Sequence, residues 1–506
     1  MEVHRVRVHP AAARLPREAQ LAWKLAAFAI GVPSLGVDPD VADTVACRVV
    51  DNAAVALAAI DRRPVAVARA MALAHPRADG ATLIGLPATT TVAAEWAAWA
   101  NGTAVRELDF HDTFLAADYA HPADSIPPLV AVAQQTGASG ARLLAAIAAA
   151  YEVHVSLVRS ICLHAHKKDH VAHLAPAVAA GLGALLGLDT AVVYQAVNQA
   201  VHLAFSTRQS RKGDITSWKA SAPAWAGKLA IESVDRAMRG EGAPNPIYEG
   251  EDGVIAWMLA GPDAEYAIRL PAPGERPRGI LETYPKEHSA EYQAQALIDL
   301  AFDLGRRLGA RDLGRVREIV VHTSHHTHTV IGSGSHDPEK YDPDASRETL
   351  DHSIMYILAV ALEDGRWHHV DSYAAERAHR PSTVALWRKI RTVEAPEWTE
   401  RYHDPDPARK AFGGRVEVRL DDGRVVVEEG LVADAHPNGR RPWRWADYVE
   451  KLERLTAGRL PADERQRFVA LAARLGRLDP EQVRRLNPVL PAGAVAPDRA
   501  DGHGIF

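Results

Sequence analysis

The chain has 506 residues, 47% of them hydrophobic, and sets 58 Lys and Arg against 64 Asp and Glu for a formal net charge of −6. That length supports a large core and more than one hydrophobic unit, while the lack of a basic excess or polybasic run argues against a nucleic-acid partner. Two cysteines, Cys47 and Cys162, exclude a disulfide framework; the N-terminus carries no basic-then-apolar signal and the apolar stretches are broken by His, Pro and Gly, so the expectation is a soluble, cytoplasmic chain with no membrane partner.

The first half reads as Ala-rich helices. Asp38-Pro39-Asp40 supplies a capping Asp and a Pro at the first helical position, predicting a helix through "VADTVACRVVDNAAVALAAI". "TVAAEWAAWANG" predicts another that stops at Asn101-Gly102, where the chain can turn left-handed. "GARLLAAIAAAYEVHVSLV", "VAAGLGALLGL" and "AWAGKLAIESVDRAMRG" continue the series, and together they predict a buried helical bundle. The pattern changes at the Pro/Gly-rich "LPAPGERPRG" (270–279). Beyond it, "VREIVVHTSHH" reads as a strand with His322, His326 and His328 on one face and His325 on the other. "GRVEVRLDDGRVVVEEG" reads as a hairpin turning at Asp422-Gly423. From about residue 436 the helical period returns. The expected layout is an all-helical domain (1–275), a smaller α+β domain (276–435) and a C-terminal return to the helical domain (436–506).

Five polar segments interrupt this pattern. "LDFHDTFLAADYAHPADSIPPL" (108–129) gathers Asp109, His111, Asp112, Thr113, Asp118 and His121 beyond a helix end, a mixture suited to acid–base chemistry. In "ICLHAHKKDHVAHLAPAV" (161–178), His166, His170 and His173 recur at spacings that share one helix face. Zinc is one reading, but Lys167 and Lys168 add positive charge and no His-Glu-x-x-His arrangement supplies a base, so an anion site is favoured. "STRQSRKGDITSWKASAP" (206–223) places Arg208, Arg211, Lys212 and Lys219 ahead of a helix beginning around Ser221-Ala222-Pro223. A lysine at the positive end of a helix is unfavourable unless an anion sits there too. "TYPKEHSAEYQAQA" (283–296) puts Lys286, Glu287 and His288 at a predicted helix start, a weak signal on charge alone. "VHTSHHTHTV", followed by "GSHDPEKYDP" and "SRETLDHS", is read as an exposed edge or pocket rim. Several cations beside a few carboxylates suit a small polyanion better than a metal.

"LDFHDTFLAADYAHPADSIPPL", "KKDHVAHLAPAVAAGLGALLGL", "TSWKASAP", "YEGEDGVIAWML", "AEYQAQA" and "ETLDHSIMYILAVALEDG" resemble, in the same order, the MmgE/PrpD family, and most closely its 2-methylcitrate dehydratase branch. The resemblance spans nearly the whole chain. It implies a mainly helical fold, with a large all-helical domain and a smaller α+β lid domain, forming homodimers that act on citrate-like tricarboxylates. By that resemblance Asp109, His121, His170 and Lys219 are catalytic, with His173 the neighbouring alternative to His170, and Thr113 and Lys286 bind substrate; Arg208 is added as a substrate-binding cation on its charge. Two departures stand out: the loop from Thr113 to His121 is two residues longer than in decarboxylase members, and "KEHSAEYQ" is one residue shorter than the lysine segment of other dehydratases.

The implied reaction removes water from 2-methylcitrate to give 2-methyl-cis-aconitate. Cations must hold the carboxylates, a base must take a proton, and an acid must protonate the leaving hydroxyl; Asp109 and the pair His121/His170 are candidates for the last two. An iron–sulfur route needs about three cysteine ligands, so neither metal nor cofactor is expected. The alternatives are a cis-aconitate-type decarboxylase, another tricarboxylate lyase or epimerase, and a non-catalytic tricarboxylate-binding protein.

Overall fold

The computed structural model describes residues 1–495 and 504–505. A larger hydrophobic core is built from the helices Leu21–Leu35, Pro39–Ala58, Ala94–Arg106, Ile126–Thr136, Gly140–Ser160, Leu174–Leu186, Thr190–Ala204 and Trp218–Met238. A smaller core forms where the helices Gln295–Leu313 and Ile354–Asp364 cover a four-stranded sheet. Its strand order is Val425–Gly430, Gly414–Leu420, Val316–Thr323, Ile390–Glu394, with only the last pair parallel. The hairpin turns at Asp422-Gly423, Gly423 taking the left-handed φ of 87° that an L side chain resists. The fold is therefore mainly helical with a smaller α+β part.

Small residues let the helices approach closely. A Cβ on Gly181 would come 2.9 Å from Ala150 Cβ, and one on Gly140 only 1.9 Å from the carbonyl oxygen of Leu475. The Gly140–Ser160 helix is long and apolar enough to cross a membrane by length and composition, but it is mostly buried among its neighbours here.

Five local expectations are corrected. The Ala94–Arg106 helix runs straight through Asn101-Gly102. Gly102 serves close packing, since a Cβ there would meet Ala224 Cβ at 3.1 Å, and the Asn101 amide bonds the backbone of Ile84 and Thr82. The strand holding His322 ends at Thr323; Ser324 caps a short helix, His325–Val330, so the strand alternation beyond it does not exist. The histidines of 164–173 do not share a helix face: His164–His166 and His170–His173 are separate 3-10 turns, with Lys167 left-handed between them (φ 58°). Lys286 opens no helix; the chain stays irregular until a 3-10 turn at Tyr292–Ala294, and the α-helix begins at Gln295. The third polar segment's helix starts three residues earlier than expected, at Trp218, which puts Lys219 inside its first turn.

The tail folds back. Tyr448 and Leu452 of the Trp445–Leu455 helix join the larger core beside the Pro39–Ala58 helix. The last part of the expected C-terminal return, residues 496–503 and 506, lies outside the described residues.

Candidate active site

At the end of the Ala94–Arg106 helix the chain reverses at Asp109, whose φ of 48° is left-handed. That conformation costs an ordinary L-residue roughly 1–2 kcal/mol and is tolerated best by Gly, Asn and Asp. The reversal sends the Asp109 carboxylate inward. Arg106 Nη1 and Lys286 Nζ each donate to its Oδ1 at 2.6 Å, Lys219 Nζ lies 3.1 Å from its Oδ2, and Lys286 also donates to its backbone oxygen at 3.0 Å. Burial alone would raise this carboxyl; Arg106, Lys219 and Lys286 outweigh it and hold Asp109 well below the usual carboxylate range. Burial pulls the Lys286 ammonium below its ordinary value, and Asp109 opposes that pull.

A second carboxylate completes the cluster. Asp351 accepts Lys219 Nζ at 2.8 and 2.9 Å and Arg347 Nη1 at 3.1 Å, and it touches the ring of His352, whose Nδ1 lies 3.3 Å from Lys219. Ligand atoms of Asp109, Asp351 and His352 converge within 4.8 Å, the spacing of a metal site, and the cation they surround is the Lys219 ammonium. Four cationic side chains thus contact two carboxylates, Arg106, Lys219 and Lys286 buried and Arg347 half-buried. Buried charge that lacks a partner is costly, so this arrangement is suited to an incoming anion.

The segment after Asp109 folds into a small hairpin, Phe114–Leu115 against Tyr119–Ala120, and Thr113 exchanges backbone hydrogen bonds with Tyr284 in both directions. These bonds bring the Asp109 and Lys286 segments side by side. His121 lies at the hairpin's exit. Its Nδ1 is 2.7 Å from the carbonyl oxygen of Asp112 and must carry the proton, leaving Nε2 with a lone pair 3.8 Å from Asp109 Oδ1. Burial, helped by Arg106 and Lys286, keeps His121 neutral well below its ordinary pKa. His170 sits 5.9 Å from His121 between ring centroids and 4.7 Å from Tyr119. Burial lowers it to about 4 against the opposing pull of Asp169, whose Oδ1 lies 3.2 Å from the His170 Nδ1; its Nε2 has no hydrogen-bond partner among the described residues. His173 is committed elsewhere, its Nε2 3.0 Å from the carbonyl of Ile161, and His166 stands away, half-buried.

The structure thus brings Asp109, His121, Lys219 and Lys286 together, with His170 alongside. Thr113 is near, but its hydroxyl donates to Ala120 O at 3.1 Å and braces the hairpin. Arg208 lies apart from the Asp109 cluster, half-buried beside His164 and His326, whose pKa values its charge helps to lower. His326 packs against Tyr119, His164 and Tyr402, so this part of the expected rim borders the site.

Sequence reasoning gave no role to Arg106, Arg347, Asp351, His352 or Glu291. Arg106 stands three residues before Asp109, a spacing that was open to reading. Glu291, inside "AEYQAQA", donates its backbone N–H to Asp351 O at 3.2 Å. Burial pushes its carboxyl up to about 7, Lys286 pulling the other way.

Residues 23–267 match the family model for the MmgE/PrpD N-terminal domain, and residues 288–477 that for the MmgE/PrpD C-terminal domain. The chain is 28% identical over 391 residues to "2-methylcitrate dehydratase, mitochondrial" of Yarrowia lipolytica, covering 73% of this chain and 71% of that protein. It is 28% identical over 407 residues to a 2-methylcitrate dehydratase of Cupriavidus necator and 26% identical over 406 residues to one of Escherichia coli, covering in both cases 76% of this chain and 79% of the relative.

Proposed function

Since the chain belongs to the MmgE/PrpD family, we propose that it is a hydro-lyase that converts 2-methylcitrate to 2-methyl-cis-aconitate, a step of propionate breakdown through the methylcitrate cycle. The observation that carries this reading is the buried cluster of four cations against two carboxylates. A tricarboxylate supplies the missing negative charge, and fixed cations in a water-poor site stabilise charge as it builds on the carboxylate beside the reacting carbon.

In this mechanism the C–H beside a carboxylate gives its proton to His121 Nε2. The electron pair becomes the new C=C bond. The hydroxyl on the neighbouring carbon leaves as water, taking a proton from Glu291, which with a pKa raised to about 7 keeps a substantial protonated fraction at neutral pH. Asp109, pinned as a carboxylate by Arg106, Lys219 and Lys286, is a poor acid; it orients the two ammonium groups. His170 faces the substrate beside His121, Thr113 supports the hairpin, and Arg208 meets the far end of the substrate.

The same reading divides the chain into the helical domain (1–275), the lid (276–435) and the return (436–506), and makes it a cytoplasmic homodimer without metal or cofactor. The exposed Leu203, Trp218, Trp225 and Met238 on two neighbouring helices support a subunit contact.

The deciding experiment incubates purified protein with 2-methylcitrate, citrate and cis-aconitate and follows the products. Growth of unsaturated-acid absorbance from 2-methylcitrate is expected. Carbon dioxide from cis-aconitate would instead mark a decarboxylase, and binding without turnover would mark a tricarboxylate-binding protein.

A further inference from the structure

The Trp445–Leu455 helix is remote from the site in sequence, yet its Lys451 is fully buried against it. The ammonium pairs with Asp51 Oδ1 at 2.7 Å and donates to the backbone carbonyls of Phe110 at 2.6 Å and Lys286 at 3.0 Å. It also lies 3.9 Å from the centroid of the Phe110 ring. Phe110 directly follows Asp109, and Lys286 is Asp109's own partner, so the two backbone segments that bear this ion pair are tied together from behind by one nitrogen. An ammonium has three N–H donors, and here three acceptors face it from three separate segments. Asp51, in the Pro39–Ala58 helix, gives the tie a fixed anchor in the larger core.

We infer that Lys451 is a positioning residue: it sets the spacing of the Asp109 and Lys286 segments and so the geometry of the cation cluster, without touching substrate. Its three bonds leave it no donor for anything else. An apolar replacement would strand two buried carbonyls and a buried carboxylate, and a shift of about 1 Å in the paired groups is enough to cost about a hundredfold in rate. Substrate would still be attracted by Arg106, Lys219 and Arg347, so turnover suffers more than binding.

The rate effect rests on the dehydratase reading, and the test therefore has a second, substrate-free arm. Lys451→Met is expected to lower kcat at least tenfold with KM for 2-methylcitrate changed less than threefold. In hydrogen–deuterium exchange, peptides covering 108–113 and 283–288 should exchange about tenfold faster or more, while peptides of the smaller core are unchanged. If Lys451→Met does not fold, Asp51→Asn, which weakens the anchor and leaves the lysine, should show the same two effects at about threefold or more. A kcat within threefold of the parent for Lys451→Met, or for Asp51→Asn if that variant alone folds, would overturn the inference, as would faster exchange spread evenly over the chain. A parent enzyme inert toward 2-methylcitrate would sink the proposed reaction and leave the exchange arm to decide the positioning role.

Discussion

Lys219 and Asp351 meet at 2.8 Å in a dry ion pair that joins the two halves of the molecule: Lys219 stands in the first turn of a helix of the larger core, Asp351 just ahead of the Ile354–Asp364 helix of the smaller one. Lys219→Met should lower kcat/KM about a hundredfold or more, the scale of a lost electrostatic stabiliser. It also leaves Asp109 and Asp351 short of a cation, so a drop in thermal midpoint should accompany it. Near-normal kinetics with 2-methylcitrate would show that the ammonium serves folding alone.

The histidine-rich stretch 161–178 separates into members with different fates. His170→Ala should lose about a hundredfold in rate, the scale of a missing acid–base or orienting group, while His166→Ala, half-buried and outside the cluster, should stay within about threefold. Prolonged EDTA treatment should leave the parent enzyme unchanged. Equal failure of both variants, or zinc-restorable loss with chelator, would return the stretch to a metal reading.

Glu291→Gln removes a transferable proton and keeps the shape. It should reduce kcat about a hundredfold, with a smaller change in KM, and remove a pKa near 7 from the alkaline limb of the kcat profile, because the parent acid loses its proton there. An unaltered limb in the variant would assign proton delivery to another group.

Acid stability follows from the buried neutral histidines. His170 and His173 are held at about 4 in the fold, while the unfolded chain binds the same protons near 6.5. Between those values the unfolded state carries more protons on these rings, so their contribution to the unfolding free energy falls as pH drops from about 6.5 to about 4, by up to about 3 kcal/mol for each histidine, and is flat below 4, while Glu291, held at about 7 in the fold, acts in the opposite sense as it takes up its proton. Asp109 and Asp351, whose carboxyls lie below the usual range, extend the loss to lower pH, where they must be protonated. Urea titrations followed by Trp fluorescence at pH 7.5, 6, 5 and 4.5, on the parent and on His173→Gln, measure the slope that the ring contributes; the same slope in both would contradict the burial of His173.

The helices and the Asp422-Gly423 hairpin were legible because they are local: Asp38-Pro39 announces its own helix, and alternation announces a strand. The densest polar segment gave Asp109 and His121 for the same reason, several reactive types within a few residues. Asn101-Gly102 misled because a glycine that relieves a contact with Ala224 carries the same local signal as one that ends a helix. Asp351 and His352 stood in a quoted motif yet remained mute, since their meaning is a partner 132 residues away in the chain. Lys286 was legible through family resemblance, whereas its pairing with Asp109 depends on a backbone bridge between Thr113 and Tyr284 that no spacing encodes.

The contact of Gly102 with Ala224 sets how closely the two helices that carry Arg106 and Lys219 approach. Arg106 lies about one turn beyond it on one helix and Lys219 somewhat over a turn beyond it on the other, and both reach Asp109. The distance between these two cations is thus gauged by a single hydrogen atom at position 102. A bulkier residue there would spread the helix ends without altering any charge. The spacing of the cluster that the proposed substrate would meet can accordingly be tuned from Gly102, one turn from Arg106 on the same helix face, with every charge left in place.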